Sequence, residues 1–475
     1  MIRASAGVWL NYATTFAFQV VFASRYGTTD PATAFLITFA FAITLAGIFS
    51  STALSVIVPR LVAPNGAIVT SAMINGAVLF GAGVLVAMTV FAATAPLSSW
   101  LAQLVDVPAE LMASSIRASI GFVMVQLLAG QLTAFLIAQG RRFVPAAAPA
   151  IPAITTVVFL LTSGHASTTD LYAALIAGTG IQAFVLLAFV RRPLLFVTVR
   201  GSRVVGLTVG TLASYTAGAA VLPIERVASG IHDPAGSALY FYASRSLAVV
   251  QQLLVGGIVL AALGDWSQVI LSSTRRTVAL LLANRLALAW TLLGLAASIG
   301  LVAAPQLVEL VYEHGRFTSR DTVEVSRIVR IALPGLVAEG LSLVVSQALL
   351  AAKENRLAIL IGYGSSALRV VLVIGLGVVA GPEGVAIAYS VSTFCILVVQ
   401  CIFAAKRSLL LTADLLARRV EFLLVLIPAA AAVVCLALRL NTWLSFMFVI
   451  AAIAVVVVPI RSRLGVPRAG RVRRL

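Results

Sequence analysis

The chain has 475 residues, of which 61% are hydrophobic and only 10% charged, a balance that excludes an ordinary soluble protein of this length. Its 33 basic and 16 acidic residues leave a net charge of +17. That excess lies in short segments between apolar runs, so membrane topology and anionic lipid explain it, and a nucleic-acid partner is excluded.

Apolar runs of about 18 or more residues recur from end to end, the pattern of an all-α polytopic membrane protein. Fourteen spans are expected, near 6–24, 34–58, 67–94, 117–138, 144–163, 171–190, 204–223, 238–262, 285–304, 328–351, 357–379, 384–405, 420–438 and 442–460. Each suits a hydrocarbon core about 30 Å thick with some tilt. The first follows Arg3 without a small-residue cleavage site and reads as a retained span. Cys395, Cys401 and Cys435 lie inside apolar runs without metal spacing and read as small core residues. Pro149, Pro152 and Pro334 fall inside spans, where kinks and close packing are the ordinary roles.

With the N-terminus in the cytoplasm, 23 basic residues fall on the cytoplasmic side and eight on the other, and Arg245 and Arg369 remain inside spans. This bias sets the orientation, and an even span count returns the C-terminus to the cytoplasm. The basic cytoplasmic loops and the tail RSRLGVPRAGRVRR (461–474) are expected to meet anionic lipid.

The chain also repeats itself. AFLIAQGRRFVPA (134–146) closes span 4, and ALLAAKENRLAIL (348–360) closes span 10 in the same way. Amphipathic outer segments opened by Pro96 and Pro305 precede these two spans. The reading is an N-lobe of six spans (1–200), a C-lobe of six (201–410), and two further spans with the basic tail (411–475). Six is even, so the lobes insert in the same sense, as parallel repeats with a substrate site between them.

No Ser/His/Asp set, zinc motif or phosphate-cradling glycine loop stands in a workable context, so a transporter is expected rather than an enzyme. The informative residues are charges inside spans. Arg245 lies in 238–264, ALYFYASRSLAVVQQLLVGGIVLAALG. An arginine at depth costs roughly 2.5–3.5 kcal/mol on insertion scales, so it is expected to face a partner or a wet cavity. A guanidinium holds phosphate oxygens bidentately and stays charged at any working pH, which suits an anionic substrate. Glu339 falls near the middle of span 10, Arg369 near the middle of span 11, and Glu225 and Arg226 at the outer end of span 7. Glu339 either pairs with Arg369 or Arg245 as a structural bridge, or titrates or binds a cation during transport.

Several stretches resemble the MurJ/MviN family of lipid II flippases: LVYEHGRFTSRDT (310–322), LPIERVASGIHDPAGSALYFYASRSLAVV (222–250), FLIAQGRRFVPAAAPAI (135–151) and GPEGVAIAYSVS (381–392). Their order and spacing carry the likeness. The resemblance implies two six-helix lobes around a central cavity, the fold of the wider MOP superfamily. It implies movement of a polyprenyl-pyrophosphate-linked glycan from the inner to the outer leaflet by alternating access, in the bacterial inner membrane, for peptidoglycan or another surface glycan. Arg245 matches the family's cavity arginine of span 8, which contacts the pyrophosphate, with Arg25 and Arg117 as further substrate-binding candidates. No cofactor is implied; Na+, H+ or the membrane potential supplies the driving force. The chain departs from the family in its first half, where Phe18-Gln19 and Ala46, Gly47 and Ser51 stand at positions that are charged in the family. Two alternatives stay open: a cation-coupled exporter of the multidrug type, using Glu339 or Glu225, and a non-transporting scaffold whose partners are cell-wall synthesis proteins.

Overall fold

The computed structural model of the chain describes residues 2–56, 70–139, 141, 143–163, 167–190, 212, 215–256, 275–352, 354–407, 409–410, 426–437, 445 and 447–453. Parts of the expected spans 2, 3, 7, 8, 13 and 14, the lobe boundary at 200–201, the start of the last expected segment at 411, and the arginine tail lie outside these residues. Every secondary-structure element among the described residues is helical. In chain order they are α1 (Ile2–Tyr26), α2 (Asp30–Val56), α3 (Thr70–Ala92), α4 (Thr94–Val105), α5 (Ala109–Ala138), α6 (Phe143–Ala147), α7 (Ala150–Thr162), α8 (Thr168–Ala188), α9 (Val221–Gly230), α10 (Pro234–Gln251), α11 (Arg275–Tyr312), α12 (Ser319–Ala351), α13 (Asn355–Lys406) and α14 (Leu426–Ala437).

Seven of the described helices are long and apolar enough to cross a membrane, or eight if the bent pair 77–92 and 94–105, which meets at 70°, is one span. The chain is therefore a multi-pass membrane protein. α1 is long enough to span, but Asn11, Tyr12, Thr14, Thr15 and Gln19 make it more polar than these seven. α13 covers the expected spans 11 and 12 in 52 residues and breaks between them, at Ala380 and Gly381. Gly381 adopts a φ of +56°, which breaks the helix just before Pro382.

The two amphipathic outer segments differ in form. Pro96 lies in the first turn of α4, where a missing N–H costs nothing. Pro305 lies inside the continuous α11 and leaves the carbonyl of Leu301 without its helical donor. The Arg330 Nε donates to that carbonyl at 2.9 Å. Pro334 in α12 is compensated in the same spirit. The Gly335 N–H donates to Ser390 Oγ at 3.2 Å, and Ser390 Oγ donates to the Ile331 carbonyl at 2.9 Å. One hydroxyl is thus spliced into the 335-to-331 backbone bond.

The chain divides into two compact units. Unit 1 holds Met1–Arg245, Glu309–Ile328 and Gly362–Tyr389; unit 2 holds Ser246–Val308, Val329–Ile361 and Ser390–Leu475. In unit 1, α5 packs between α2 and α8, α1 lies along α6 and α7, and α9 lies against α2. One core cluster gathers Ala34, Ile37, Leu101, Val105, Met112 and Ile116, with Val227 of α9 against them. In unit 2, Ser342 and Ser346 of α12 both bond the Gln400 amide, and Val302 of α11 packs with Ala432 and Val449.

Two helix starts use the same reciprocal cap. Ser167 and Asp170 close a capping box on α8, and Thr318 and Asp321 exchange the same bonds at α12. The second box is also tied to α1, because Thr28 Oγ1 donates to Asp321 at 3.0 Å. The Arg316 N–H donates to the Ser24 carbonyl at 2.8 Å, and the Tyr242 hydroxyl donates to the Gly27 carbonyl at 2.7 Å. Gly27 and Gly315 make this clamp possible. Both have φ near +60°, and a Cβ on either would come within 2.6 Å of the other segment's backbone oxygen. Gly315→Ala should therefore lower unfolding free energy by about 2 kcal/mol, through backbone strain and clash. Ser390→Ala should cost about 1–3 kcal/mol by stranding two buried backbone groups, while Ser390→Thr keeps the bridge. Thermal melts of the detergent-solubilised protein check both.

Candidate functional site

Glu225, Arg226, Arg245 and Arg369 of unit 1 gather where α9, α10 and the first part of α13 meet. α9 is short and its buried face includes Val221, Pro223, Glu225, Arg226 and Ala228. Two charged neighbours are therefore carried inward on an apolar helix. Glu225 accepts from the Arg369 Nε at 2.6 Å, with side-chain exposures of 5% and 21%. The Arg369 guanidinium also lies 4.7 Å over the Tyr389 ring and reaches the Tyr240 hydroxyl.

Arg226 is only 2% exposed. Its Nη2 donates to Ser244 Oγ at 3.0 Å, and its guanidinium lies 5.2 Å from the Tyr240 ring centre and 5.0 Å from that of Phe241. Its Nη1 is buried and has no hydrogen-bond partner among the described residues. Arg245, half-buried one turn along α10, lies 5.7 Å over the same Phe241 ring. It has no hydrogen-bond or ion-pair partner among the described residues. Its surroundings are Tyr12 of α1 and Tyr312 at the end of α11, close enough to feel its charge. Arg245 and Arg226 are also close enough to repel.

Among the described residues, three guanidiniums thus stand near one carboxylate. A cation–π contact is worth about 0.5–2 kcal/mol. Withdrawing an ion from water costs several kcal/mol. The rings therefore do not compensate Arg226 and Arg245, and the arrangement retains an unmet demand for negative charge. A guanidinium offers paired N–H donors in one plane, the geometry that fits phosphate or carboxylate oxygens.

The other expected site residues lie elsewhere. Arg25 is exposed at the end of α1 and reaches the Leu161 carbonyl at 3.5 Å; Arg117 is exposed on α5. No hydrogen bond or ion pair among the described residues joins either of them to Arg245. Glu339 is half-buried on α12, within unit 2. Gln19 is 2% exposed, and its Oε1 has no partner among the described residues. Sequence reasoning counted Arg226 among the outer cations. The signal that identifies it is the adjacency of Glu225 and Arg226 inside the otherwise apolar VLPIERVASG.

Comparison with solved structures places the fold. A lipid II flippase MurJ in an inward closed conformation superposes with a TM-score of 0.80 at 18% identity, covering 98% of this chain and 100% of that one. An inward-facing multidrug resistance MATE family transporter of the MOP superfamily gives 0.66 at 13% identity, over 84% of this chain and 94% of that one. A MOP superfamily transporter from Pyrococcus furiosus Vc1 gives 0.59 at 12%, over 86% and 95%. The fold is shared with these solved transporters. A comparison with curated protein sequences returns no significant match. The profile of the lipid II flippase MurJ family matches residues 22–454, and the chain belongs to that family.

The buried pair gives a direct test. Glu225→Gln leaves Arg369 without its carboxylate and adds to the uncompensated positive charge, so it should destabilise the protein by about 3 kcal/mol. Adding Arg369→Gln should restore part of that loss. Melting temperatures of the two single variants and the double variant check the coupling.

Proposed function

We propose that this chain carries a polyprenyl-diphosphate-linked glycan from the inner to the outer leaflet of the bacterial inner membrane by alternating access, as a transporter and not an enzyme. The observation that carries this reading is Arg245: a guanidinium on α10, in the expected span 8, near Tyr12, Phe241 and Tyr312, with no hydrogen-bond or ion-pair partner among the described residues. Such a group attracts an anion held in low dielectric, where a charge-assisted bond is strongest. The family assignment supports the same substrate class. A cationic drug would meet repulsion from Arg226, Arg245 and Arg369, and Glu225 is already engaged by Arg369.

The rest of the cycle follows from the same chemistry. The diphosphate binds Arg245 while the site is open to the cytoplasm, and the glycan crosses with it. Arg25 and Arg117, exposed on unit 1, serve as secondary contacts for the anionic head. Na+ or H+ at Glu339, or the membrane potential, resets the carrier; moving one charge through 100 mV supplies about 2.3 kcal/mol. The N- and C-termini lie in the cytoplasm, where the basic loops meet anionic lipid and, in the cell, cell-wall synthesis proteins.

Complementation tests the reading. In a bacterium depleted of its own lipid II flippase, expression of this chain should restore growth and outer-leaflet lipid II, and Arg245→Ala should abolish the rescue at equal membrane abundance. Rescue that survives Arg245→Ala removes this residue from the account. If well-expressed wild-type protein fails to rescue, lipid II is not its substrate.

A further inference from the structure

Arg226 is buried, positively charged and incompletely bonded, and nothing in the transport cycle above uses it. Three features make it more than a structural residue. Its Nη1 edge has no partner among the described residues, although the whole side chain is 2% exposed. Its adjacent carboxylate, Glu225, is committed to Arg369. It shares the Phe241 ring with Arg245, at 5.0 and 5.7 Å from the centroid.

A residue kept only for packing would be better replaced by an apolar side chain of similar volume, since an uncompensated buried ion costs several kcal/mol. The geometry points to a different role. We propose that Arg226 and Arg245 form a two-cation site for a diphosphate, with Arg226 as the specificity-determining residue that distinguishes a diphosphate from a monophosphate. This rests on the proposed function, because it assumes that the anion on Arg245 is a lipid-linked phosphate.

The pieces are ordered by depth. Arg245 is half-buried and meets the first phosphate. Both cations lie against the Phe241 ring. Arg226 is the inner cation, its plane fixed by the Ser244 hydroxyl and the Tyr240 and Phe241 rings, with the Nη1 edge left to donate. A monophosphate on Arg245 leaves that inner edge unmet. A diphosphate carries a second set of oxygens on the same head and can satisfy both guanidiniums, with the added benefit of relieving the repulsion between them. Glu225 keeps Arg369 out of the competition and leaves the diphosphate to these two arginines.

The test uses the full chain in lipid nanodiscs, with undecaprenyl diphosphate and undecaprenyl monophosphate as probes and dissociation constants as the readout. Wild type should prefer the diphosphate about tenfold or more, the worth of one charge-assisted bond. Arg226→Gln should bring the two affinities within about twofold of each other by weakening the diphosphate alone, while Arg245→Gln weakens both ligands. Arg226→Lys keeps the charge but not the planar fork, and should lose part of the preference. The melting temperature of ligand-free Arg226→Gln should equal or exceed that of wild type, because an uncompensated buried charge has been removed.

Two results overturn the proposal: an unchanged diphosphate preference in both Arg226 variants, or equal loss of both ligands in Arg226→Gln with a lowered melting temperature, which marks a packing role. If wild type binds neither lipid, the proposed function itself fails. The source of the anion is separated by competition. Inorganic pyrophosphate that displaces the lipid only in wild type and Arg245-intact variants supports recognition of the diphosphate head. Displacement by a raised phosphatidylglycerol fraction would make this a general anionic-lipid site and sink the diphosphate assignment.

Discussion

A single carboxylate sets the character of this protein. Glu225 neutralises Arg369 and leaves Arg226 and Arg245 without an acidic partner of their own among the described residues. In water such an imbalance would be trivial. Inside a helical membrane protein it is not, because the desolvation cost of a guanidinium exceeds what neighbouring rings return. Tyr240, Phe241, Tyr389, Tyr12 and Tyr312 soften the environment of the three arginines without cancelling their charge. The aromatic lining therefore tolerates cations while leaving them receptive to an anion.

The helices of unit 2 close their own defects. Pro305 and Pro334 each open a helical backbone, and each gap is filled by a side chain from another segment of unit 2: Arg330 on the Leu301 carbonyl, and Ser390 between Gly335 and Ile331. In unit 1 the end of α1 and the turn before α12 are clamped through Gly27, Gly315, Ser24, Arg316 and the Thr318–Asp321 cap. Tyr242 joins this clamp through its hydroxyl and meets Tyr312 at a tilt and Phe317 edge-on, one residue from the Phe241 that bears both cations. Clamp and charge cluster thus meet on one turn of α10.

The helical membrane class and the family were legible in the sequence, because apolar run length and the order of loosely matching stretches survive substitution of individual residues. The importance of Arg245 was legible for a similar reason: a charge in the middle of an apolar run is conspicuous. The pairing of Arg369 with Glu225 was not, since it joins residues 144 apart and depends on how each helix is rotated about its axis. Arg226 was harder still. It sits in a ten-residue helix whose charged residues resemble an exposed loop, and only three-dimensional packing shows both of them buried. The two outer prolines show the same limit. Pro96 and Pro305 look equivalent in sequence, yet one lies in the first turn of a helix and the other interrupts a long one, according to what the neighbouring segments can donate.

The charge cluster also has an electrical consequence. Among the described residues, three arginines stand near one glutamate, a surplus of about two positive charges, and under the proposed function a diphosphate brings roughly two negative ones. The loaded carrier is then the near-neutral species and the empty carrier the charged one. Under the proposed function, a membrane potential, negative inside, would act weakly on the glycan-bearing step and strongly on the return, drawing the unoccupied cations toward the cytoplasm. Directionality would then come from the bare protein's own charge, with the cargo travelling almost free of the field.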